Sequence, residues 1–491
     1  MVKPGGATDI WDRFSSEVIS HGEKPAIIEI PSGKQITYNE LKNSAVEFSD
    51  LLSEYQVGAV AISGEPDIEL TPLILTCALE NKCFLPLNQD ESRSRLLKTL
   101  DQLSLDVLIL SRRKIKEFSS ISKGNRTLGE HDVFVYLKIS KAKKTTNNNL
   151  FLLTQSSGST GEPKLIGFSQ KTKIRRTDQS INLFHITADD VVLSASPMHH
   201  SMGQRHFFVA LLSGATLVKA FPFNPKHWIG AVQDFAISFA IPVATHLKIL
   251  NPHIEKDPGL LSSFRCLVTS SATADPELKS RLLQNTDFEL WEIYGMTETA
   301  CATAVRFTAD DNVGHVGKPI EGTTVRIRHE SADGRGEIEV LSDCLCDGYL
   351  NDQALWDNSL TPDGYFCSGD LGCFDEQRNL VFLGRTTESF ESCGLLIFPV
   401  DIERVAAQFK GVRDCVAFPV QNEIFGNLIG LAILAETEID RRKVLSHLRK
   451  ELPKNKVPAL LFIKTNFPLL ASGKLDKKKL VKQIINENIN R

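Results

Sequence analysis

Cysteine is scarce. Ten in 491 residues is about 2%, far from a disulfide scaffold. Cys344 and Cys346 form a lone C-x-C with no second half, which argues against a structural zinc site. A surplus of one charge is also missing. Lys and Arg number 56 against 60 Asp and Glu, a formal net charge of −4, with both signs scattered along the chain. Dedicated nucleic-acid and polybasic membrane binders need a positive excess, so both classes are disfavoured. The longest apolar runs, such as Leu428 to Ala435, fall well short of the roughly 20 residues of a spanning helix. Met1-Val2-Lys3-Pro4-Gly5-Gly6 leads into polar residues, so no signal peptide is visible. Reduced thiols without a span or a leader predict a cytoplasmic protein.

What is present is ordinary in composition, 42% apolar and 24% charged. The length suits one large core plus a smaller domain, or three ordinary domains. The first 110 residues alternate strand and helix signals. Ala26 to Ile30 is β-rich, Pro31-Ser32-Gly33 is a turn, and Thr37-x-x-Glu40 is a capping box. The box opens a helix whose apolar residues Leu41, Ala45, Phe48 and Leu52 share one face. Short strands are predicted at Ala59 to Ile62, Cys83 to Leu87 and Val107 to Leu110. Such alternation favours a largely parallel sheet covered by helices. Lys138 to Asn149 is polar, cationic and aperiodic, a surface loop, and strand signal resumes at Leu150 to Leu153. Turns at Asp333-Gly334, Asp347-Gly348 and Asp363-Gly364 predict hairpins up to Gly384. Beyond it, a helix at Val400 to Phe409 stops at Gly411. Strands at Val412 to Val420 and Leu428 to Ala435, a helix, a strand at Leu460 to Lys464 and a basic helix follow. They make a compact α+β unit of about 105 residues, a plausible second domain.

Thr154-Gln155-Ser156-Ser157-Gly158-Ser159-Thr160-Gly161-Glu162-Pro163-Lys164 directly follows an apolar strand. Glycines let backbone N–H groups approach a polyphosphate, hydroxyls donate hydrogen bonds and lysine brings charge. A Walker loop is excluded, because only two residues separate Gly158 from Gly161 and Leu165 follows Lys164. Taken alone, a solvated Ser/Gly loop fits the segment equally well.

This loop resembles the signature of the adenylate-forming superfamily, which includes acyl- and aryl-CoA synthetases, luciferases and peptide-synthetase adenylation domains. The resemblance covers nearly the whole chain, in the family's order. Tyr294-Gly295-Met296-Thr297-Glu298 is similar to Y-G-x-T-E, and Gly314-His315-Val316-Gly317-Lys318-Pro319 to G-x-V-G-x-P. Gly336-Glu337-Ile338 and Gly348-Tyr349-Leu350-Asn351-Asp352 resemble the next segment. Asp363-Gly364-Tyr365-Phe366-Cys367-Ser368-Gly369-Asp370 resembles D-G-W-F-x-T-G-D, Gly384-Arg385 the G-R before the family's hinge, and Ser472-Gly473-Lys474 its S-G-K. The resemblance implies an α/β fold: a large N-terminal adenylate-forming domain of layered sheets and helices, residues 1–384, and a small mobile α+β C-terminal domain, residues 385–491. It also implies that ATP activates a small-molecule carboxylic acid as acyl-AMP, with Mg²⁺, before transfer to a thiol.

That chemistry faces an electrostatic obstacle. An anionic carboxylate must approach the α-phosphorus of an anionic triphosphate, a repulsion of several kcal/mol at an effective dielectric of about 20, so fixed positive potential is needed. By resemblance, Ser156, Ser157, Gly158, Ser159, Thr160, Gly161 and Lys164 hold the β- and γ-phosphates, Thr297 contacts phosphate, and Glu298 holds Mg²⁺. Tyr294, in its motif with Gly295 and Met296, stacks on adenine beside Ser271, Ala272 and Thr273. Asp370 accepts hydrogen bonds from both ribose hydroxyls, assisted by Arg385. Lys474 bridges carboxylate and α-phosphate in the transition state. By composition alone it belongs to a solvated basic patch with Lys477, Lys478 and Lys479, and those three keep that reading.

The segment Ser196-Pro197-Met198-His199-His200-Ser201-Met202-Gly203 resembles P-L-x-H-x-x-G, which puts His200 at the acyl-carboxylate gate. An acyltransferase H-H-x-x-x-D is excluded by Gln204 in the sixth place. Metal binding by His199, His200 and His206 lacks a nearby carboxylate or cysteine. Peptide-synthetase domains place Phe-Asp where His199-His200 stand, which argues against an amino-acid substrate. In the family the small domain rotates to switch from adenylation to thiol attack. The hinge maps to Thr387, where the family usually has Asp or Lys; Glu391 departs from a common Lys, and Gly394 is kept for passage of a pantetheine arm. The leading expectation is an acid–thiol ligase using CoA. The runner-up loads a carrier-protein phosphopantetheine in trans, and a nonenzymatic relative or a luciferase-type oxygenase are the other classes. The acid pocket is expected between the His200 segment, Ala240 to Leu247 and the strand into Tyr294. These stretches are largely apolar, which suits an aryl or fatty acid.

Overall fold

Thr37 and Glu40 realise their capping box: the Thr37 N–H donates to Glu40 Oε2 at 2.8 Å, and the Glu40 N–H to Thr37 Oγ1 at 3.2 Å. The helix Tyr38–Glu54 follows, with Leu41, Ala45 and Leu52 buried. The computed structural model describes residues 9–489 except 55–58, 64–65, 89–93, 95–98, 100–106, 111–124, 129–130, 135–148, 158–162, 271–275, 286–287, 309–313, 329–332, 351, 393–394, 423–425, 436–438 and 470–474. Almost all of the predicted surface loop Lys138 to Asn149 lies outside the described residues.

Among the described residues two large sheets dominate. In one, Val107–Leu110, Ala59–Ser63, Cys83–Leu87 and Leu152–Ser157 run parallel, and Pro163–Phe168 returns antiparallel with Ser156 opposite Lys164. The phosphate-loop segment is therefore the connection of a hairpin. In the other, nine-stranded sheet, Pro25–Glu29, Thr216–Lys219, Val191–Ser194, Phe239–Ala240, Cys266–Thr269 and Glu289–Met296 form a parallel centre. Antiparallel strands flank it on both sides. Helices between the sheets share one core, to which Phe14, Phe84, Phe168, Phe207, Phe208 and Val192 all contribute. Burying aromatic rings from both layers joins them into one body.

The predicted hairpin region is a four-stranded antiparallel sheet of Thr323–Arg328, Gly336–Ser342, Phe366–Phe374 and Leu380–Arg385. Asp347-Gly348 differs from a hairpin turn. Its backbone pairs with Gly167, Asp347 N–H to Gly167 O at 2.9 Å and Gly167 N–H to Gly348 O at 2.9 Å, which brings Tyr349 beside the phosphate-loop hairpin. The C-terminal part packs Asp414–Asn422, Gly426–Leu434 and Leu460–Lys464 as one sheet. The helices Pro399–Ala407 and Arg441–Glu451 contribute Ile402, Ala406, Val444 and Leu448 to one cluster with this sheet, and the helix Lys477–Ile489 contributes Leu480 and Ile484 to a second. Two ion pairs tie it to the larger part: Lys248 to Asp414 at 2.9 Å and Arg335 to Asp401 at 3.1 Å.

The helix Ile10–His21 was not foreseen. Its buried residues Ile10, Phe14 and Val18 recur every fourth position within a polar stretch, too sparse a signal to stand out. No described helix is long and apolar enough to cross a membrane.

Candidate active site

The strand Glu289–Met296 ends in the motif Tyr294-Gly295-Met296, and the chain then reverses so that Gly295 faces Cys301 and Met296 faces Ala300. A Cβ on Gly295 would sit 1.9 Å from the Ala300 carbonyl oxygen, so only glycine permits this closeness. The reversal presents Thr297 and Glu298. The Thr297 hydroxyl lies 3.4 Å from Ser201 Oγ, at the start of the helix that His200 caps. The Tyr349 hydroxyl donates to Glu298 Oε1 at 3.0 Å, and Lys164 Nζ lies 4.8 Å above the Tyr349 ring. Residues far apart in the chain (Lys164, His200, Thr297 and Glu298) are thus joined through Ser201 and Tyr349. Tyr349 stood in a quoted motif without a role, and the structure makes it the link.

A second group lies at the other end of the same strand turn. The Tyr294 hydroxyl donates to Asp370 Oδ2 at 2.8 Å. Cross-strand register sets Asp370 opposite Arg385, whose Nε is 3.2 Å from Oδ1. That approach is not a hydrogen bond, and Oδ1 is buried without a hydrogen-bond partner. Burial pushes the Asp370 carboxyl above the usual carboxylate range, opposed by Arg385 and the Tyr294 hydroxyl. The Tyr294 phenol is raised by burial and then by Asp370. Its ring packs near Phe382, centroids 5.8 Å apart, with 8% exposure. Ser156 and Ser157 lie on the first strand of the hairpin. Gly158, Ser159, Thr160, Gly161, Ser271, Ala272, Thr273, Gly394 and Lys474 lie outside the described residues.

These groups fit a nucleotide and its metal. A buried carboxylate oxygen without a hydrogen bond is costly unless a donor completes it, and a ribose hydroxyl has the chemistry to be that donor. Mg²⁺ beside phosphates is held by one or two carboxylates, and Glu298 provides one.

His199 and His200 lie with rings 4.4 Å apart. His206 uses both nitrogens: Nδ1 meets Ser194 Oγ at 3.2 Å, and Nε2 accepts the Ile241 N–H at 3.2 Å. It ties the His200 helix to the start of the 240–247 segment, both expected to line the acid pocket. Burial holds His199 down to about 3, with help from His200, His206 to about 3 and His246 to about 4, against an ordinary 6.5. Below pH 6.5 the unfolded chain takes up protons at all three while the folded chain does not. Stability present at pH 7 is therefore lost progressively as pH falls toward 4, with a slope of up to about 4 kcal/mol per pH unit. Urea midpoints at pH 7.5 and 5.5 check this; equal midpoints contradict it.

Two contacts were missed by sequence reasoning. Arg176, on the helix Gln170–Phe184, donates from Nη1 to the Thr297 carbonyl at 2.8 Å and from Nη2 to the Glu298 carbonyl. Lys477 pairs with Glu388 at 2.9 Å, next to Thr387, so it is not simply part of a solvated patch. A solvated patch remains the reading for Lys478 and Lys479.

With this geometry in place, comparison with known proteins is direct. The family model described as "AMP-binding enzyme" matches residues 14–350. A 2-succinylbenzoate–CoA ligase of Staphylococcus epidermidis is 23% identical over 481 residues, covering 96% of this chain and 97% of that protein. A malonate–CoA ligase of Arabidopsis thaliana is 24% identical, covering 98% of this chain and 90% of that protein. The crystal structure of ATP-bound MatB from Rhodopseudomonas palustris superposes with a TM-score of 0.83 at 21% identity, covering 97% of this chain and 98% of that one.

Proposed function

The chain belongs to the AMP-binding enzyme family, and from that premise we propose that it is an AMP-forming acid–thiol ligase that activates a carboxylic acid with ATP and transfers the acyl group to CoA. In the first step a carboxylate oxygen attacks the α-phosphorus and pyrophosphate leaves. In the second the CoA thiol attacks the acyl carbonyl, loses its proton, and AMP leaves. The observation that carries the reading is the buried Asp370 carboxylate: Tyr294 orients one oxygen, and the other faces Arg385 without a hydrogen bond. Two neighbouring ribose hydroxyls match that arrangement.

Mg²⁺, when bound, shields the β- and γ-phosphates and stabilises the departing pyrophosphate. The residues of this chain do the rest. Ser156, Ser157, Gly158, Ser159, Thr160, Gly161 and Lys164 hold the terminal phosphates, Thr297 donates to phosphate, and Glu298 offers the metal its carboxylate. Tyr294, Gly295 and Met296, with Ser271, Ala272 and Thr273, bound the adenine site. His200 stands where the acid's carboxylate enters, and Lys474 neutralises the two approaching anions. Residues 1–384 form the nucleotide domain and 385–491 the lid, which turns about Thr387, Gly394 lining the path of the pantetheine. The segment Ala240 to Leu247 contributes the buried Ile241, Val243, Ala244 and Leu247, which supports an aryl or fatty acid. The protein acts in the cytoplasm.

ATP–pyrophosphate exchange over a panel of aryl and fatty acids tests the first step, and adding CoA or a phosphopantetheinylated carrier protein tests the second. Acid-dependent exchange followed by acyl-CoA formation is expected. Exchange with no acid in the panel counts against activation, and transfer to the carrier alone counts against CoA.

A further inference from the structure

The roles above leave a part-buried three-pronged contact without a purpose. One residue, Ser169, separates the strand carrying Lys164 from the helix that carries Arg176. The Arg176 guanidinium reaches three backbone carbonyls in two separate turns: Thr297 at 2.8 Å, Glu298, and Cys344 at 2.8 Å. The Cys346 N–H adds a second hydrogen bond to the Glu298 carbonyl at 2.8 Å. The guanidinium carbon lies 4.4 Å from the Phe168 ring centroid, which fixes the plane of the fork.

Such a charge is expensive to bury. Lys173, one turn earlier, is buried and held well below the lysine range by that burial and by Arg176 and Arg205. Three basic side chains therefore share this region behind the Thr297–Glu298 turn, and the crowding falls on Lys173. The guanidinium of Arg176 is charged at neutral pH whatever its surroundings. Three carbonyl oxygens in a fixed fan match the planar fork of a guanidinium, and an ammonium cannot span them.

We propose that Arg176 is a positioning residue for adenylation. By gripping two consecutive carbonyls it orients two successive peptide planes, and with them the directions in which the Thr297 hydroxyl and Glu298 carboxylate leave the chain. The inference rests on the functional reading above, in which those two groups meet the Mg²⁺-bound triphosphate. Loss of the fork leaves both side chains present but misdirected, so the defect falls on metal-dependent nucleotide binding and not on the acid.

The full-length protein is compared with Arg176→Met and Arg176→Lys. Thermal melting checks that each folds, and calorimetric titration with ATP, with and without Mg²⁺, reads nucleotide binding directly. ATP–pyrophosphate exchange is then followed against Mg²⁺ concentration. Both variants are expected to need about tenfold more Mg²⁺ for half-maximal exchange. They also lose most of the Mg²⁺-dependent gain in ATP affinity, and the acid KM does not change. Should Arg176→Met fail to fold, Arg176→Lys decides. A folded Arg176→Lys with the wild-type Mg²⁺ response overturns the inference, because charge alone would then suffice. If instead the wild type shows no Mg²⁺-dependent ATP binding, the functional reading falls first and the inference with it.

Discussion

Lys474→Ala lowers acid-dependent ATP–pyrophosphate exchange by about 10²- to 10³-fold, while thiol transfer from preformed acyl-AMP stays close to wild type. The two half-reactions differ in what they ask of a cation. In adenylation a carboxylate must come within bonding distance of a phosphorus that already carries negative oxygens, and the charge on both partners is present from the start. Thiol attack begins from an acyl phosphate whose carbonyl is already activated, so an ammonium between carboxylate and phosphate has less to neutralise. Other positive groups, Lys164 above Tyr349 and the part-buried Arg176, remain in the variant, which is why a residue of activity persists. Exchange assays and single-turnover transfer from synthetic acyl-AMP separate the two steps. Equal losses in both place Lys474 outside the adenylation chemistry, and wild-type exchange removes it from the mechanism.

Asp370→Ala has the second largest expected effect, a rise of about 10- to 100-fold in the KM for MgATP. Asp370 is 3% exposed, so on the proposed reading ribose hydroxyls bound to it would leave water and have no substitute partner when it is removed. Tyr294→Phe loses only the group that orients Oδ2, and its KM rises less. Because burial raises the Asp370 carboxyl above its ordinary value, ATP affinity weakens on acidification sooner than a solvent-exposed aspartate would cause. MgATP titrations at several pH values, with Asp370→Asn as the charge-free control, measure this. A flat profile in the wild type contradicts the role.

Much of the fold was legible because its signals are local. The capping box of Thr37 and Glu40 works within four residues, and the strands Cys83–Leu87, Val107–Leu110 and Leu460–Lys464 match their predicted spans. The helix Pro399–Ala407 also formed close to where its apolar spacing put it, and the following Gly411 takes φ +97°. The strand predicted at Leu150 to Leu153 runs instead from Leu152 to Ser157, carrying pairing up to the phosphate loop. Its polar residues gave no hydrophobic pattern, and cross-strand hydrogen bonds to Pro163–Phe168 extend it regardless.

The site was legible to the extent that its motifs are contiguous. Tyr294 through Glu298 fall on one strand end and its reversal, and Asp370 and Arg385 meet because two neighbouring antiparallel strands put them in register. Arg176 could not be read in this way. Its acceptors lie 121 to 168 residues further along the chain, and an arginine in a helix carries no mark of what it will reach. Lys477 is similar, since its partner Glu388 is 89 residues away.

Residue order alone therefore determined the family, the kinds of chemical groups available, and most of the short elements, because each depends on neighbours within a few positions. The tertiary structure decided which of those groups meet: a tyrosine joining Lys164 to Glu298, a carboxylate with one oxygen left without a hydrogen bond, and a guanidinium behind the Thr297–Glu298 turn. The reason is physical. Hydrogen bonding and desolvation act over a few ångströms of space, and only packing of the sheets brings distant parts of the chain within that range.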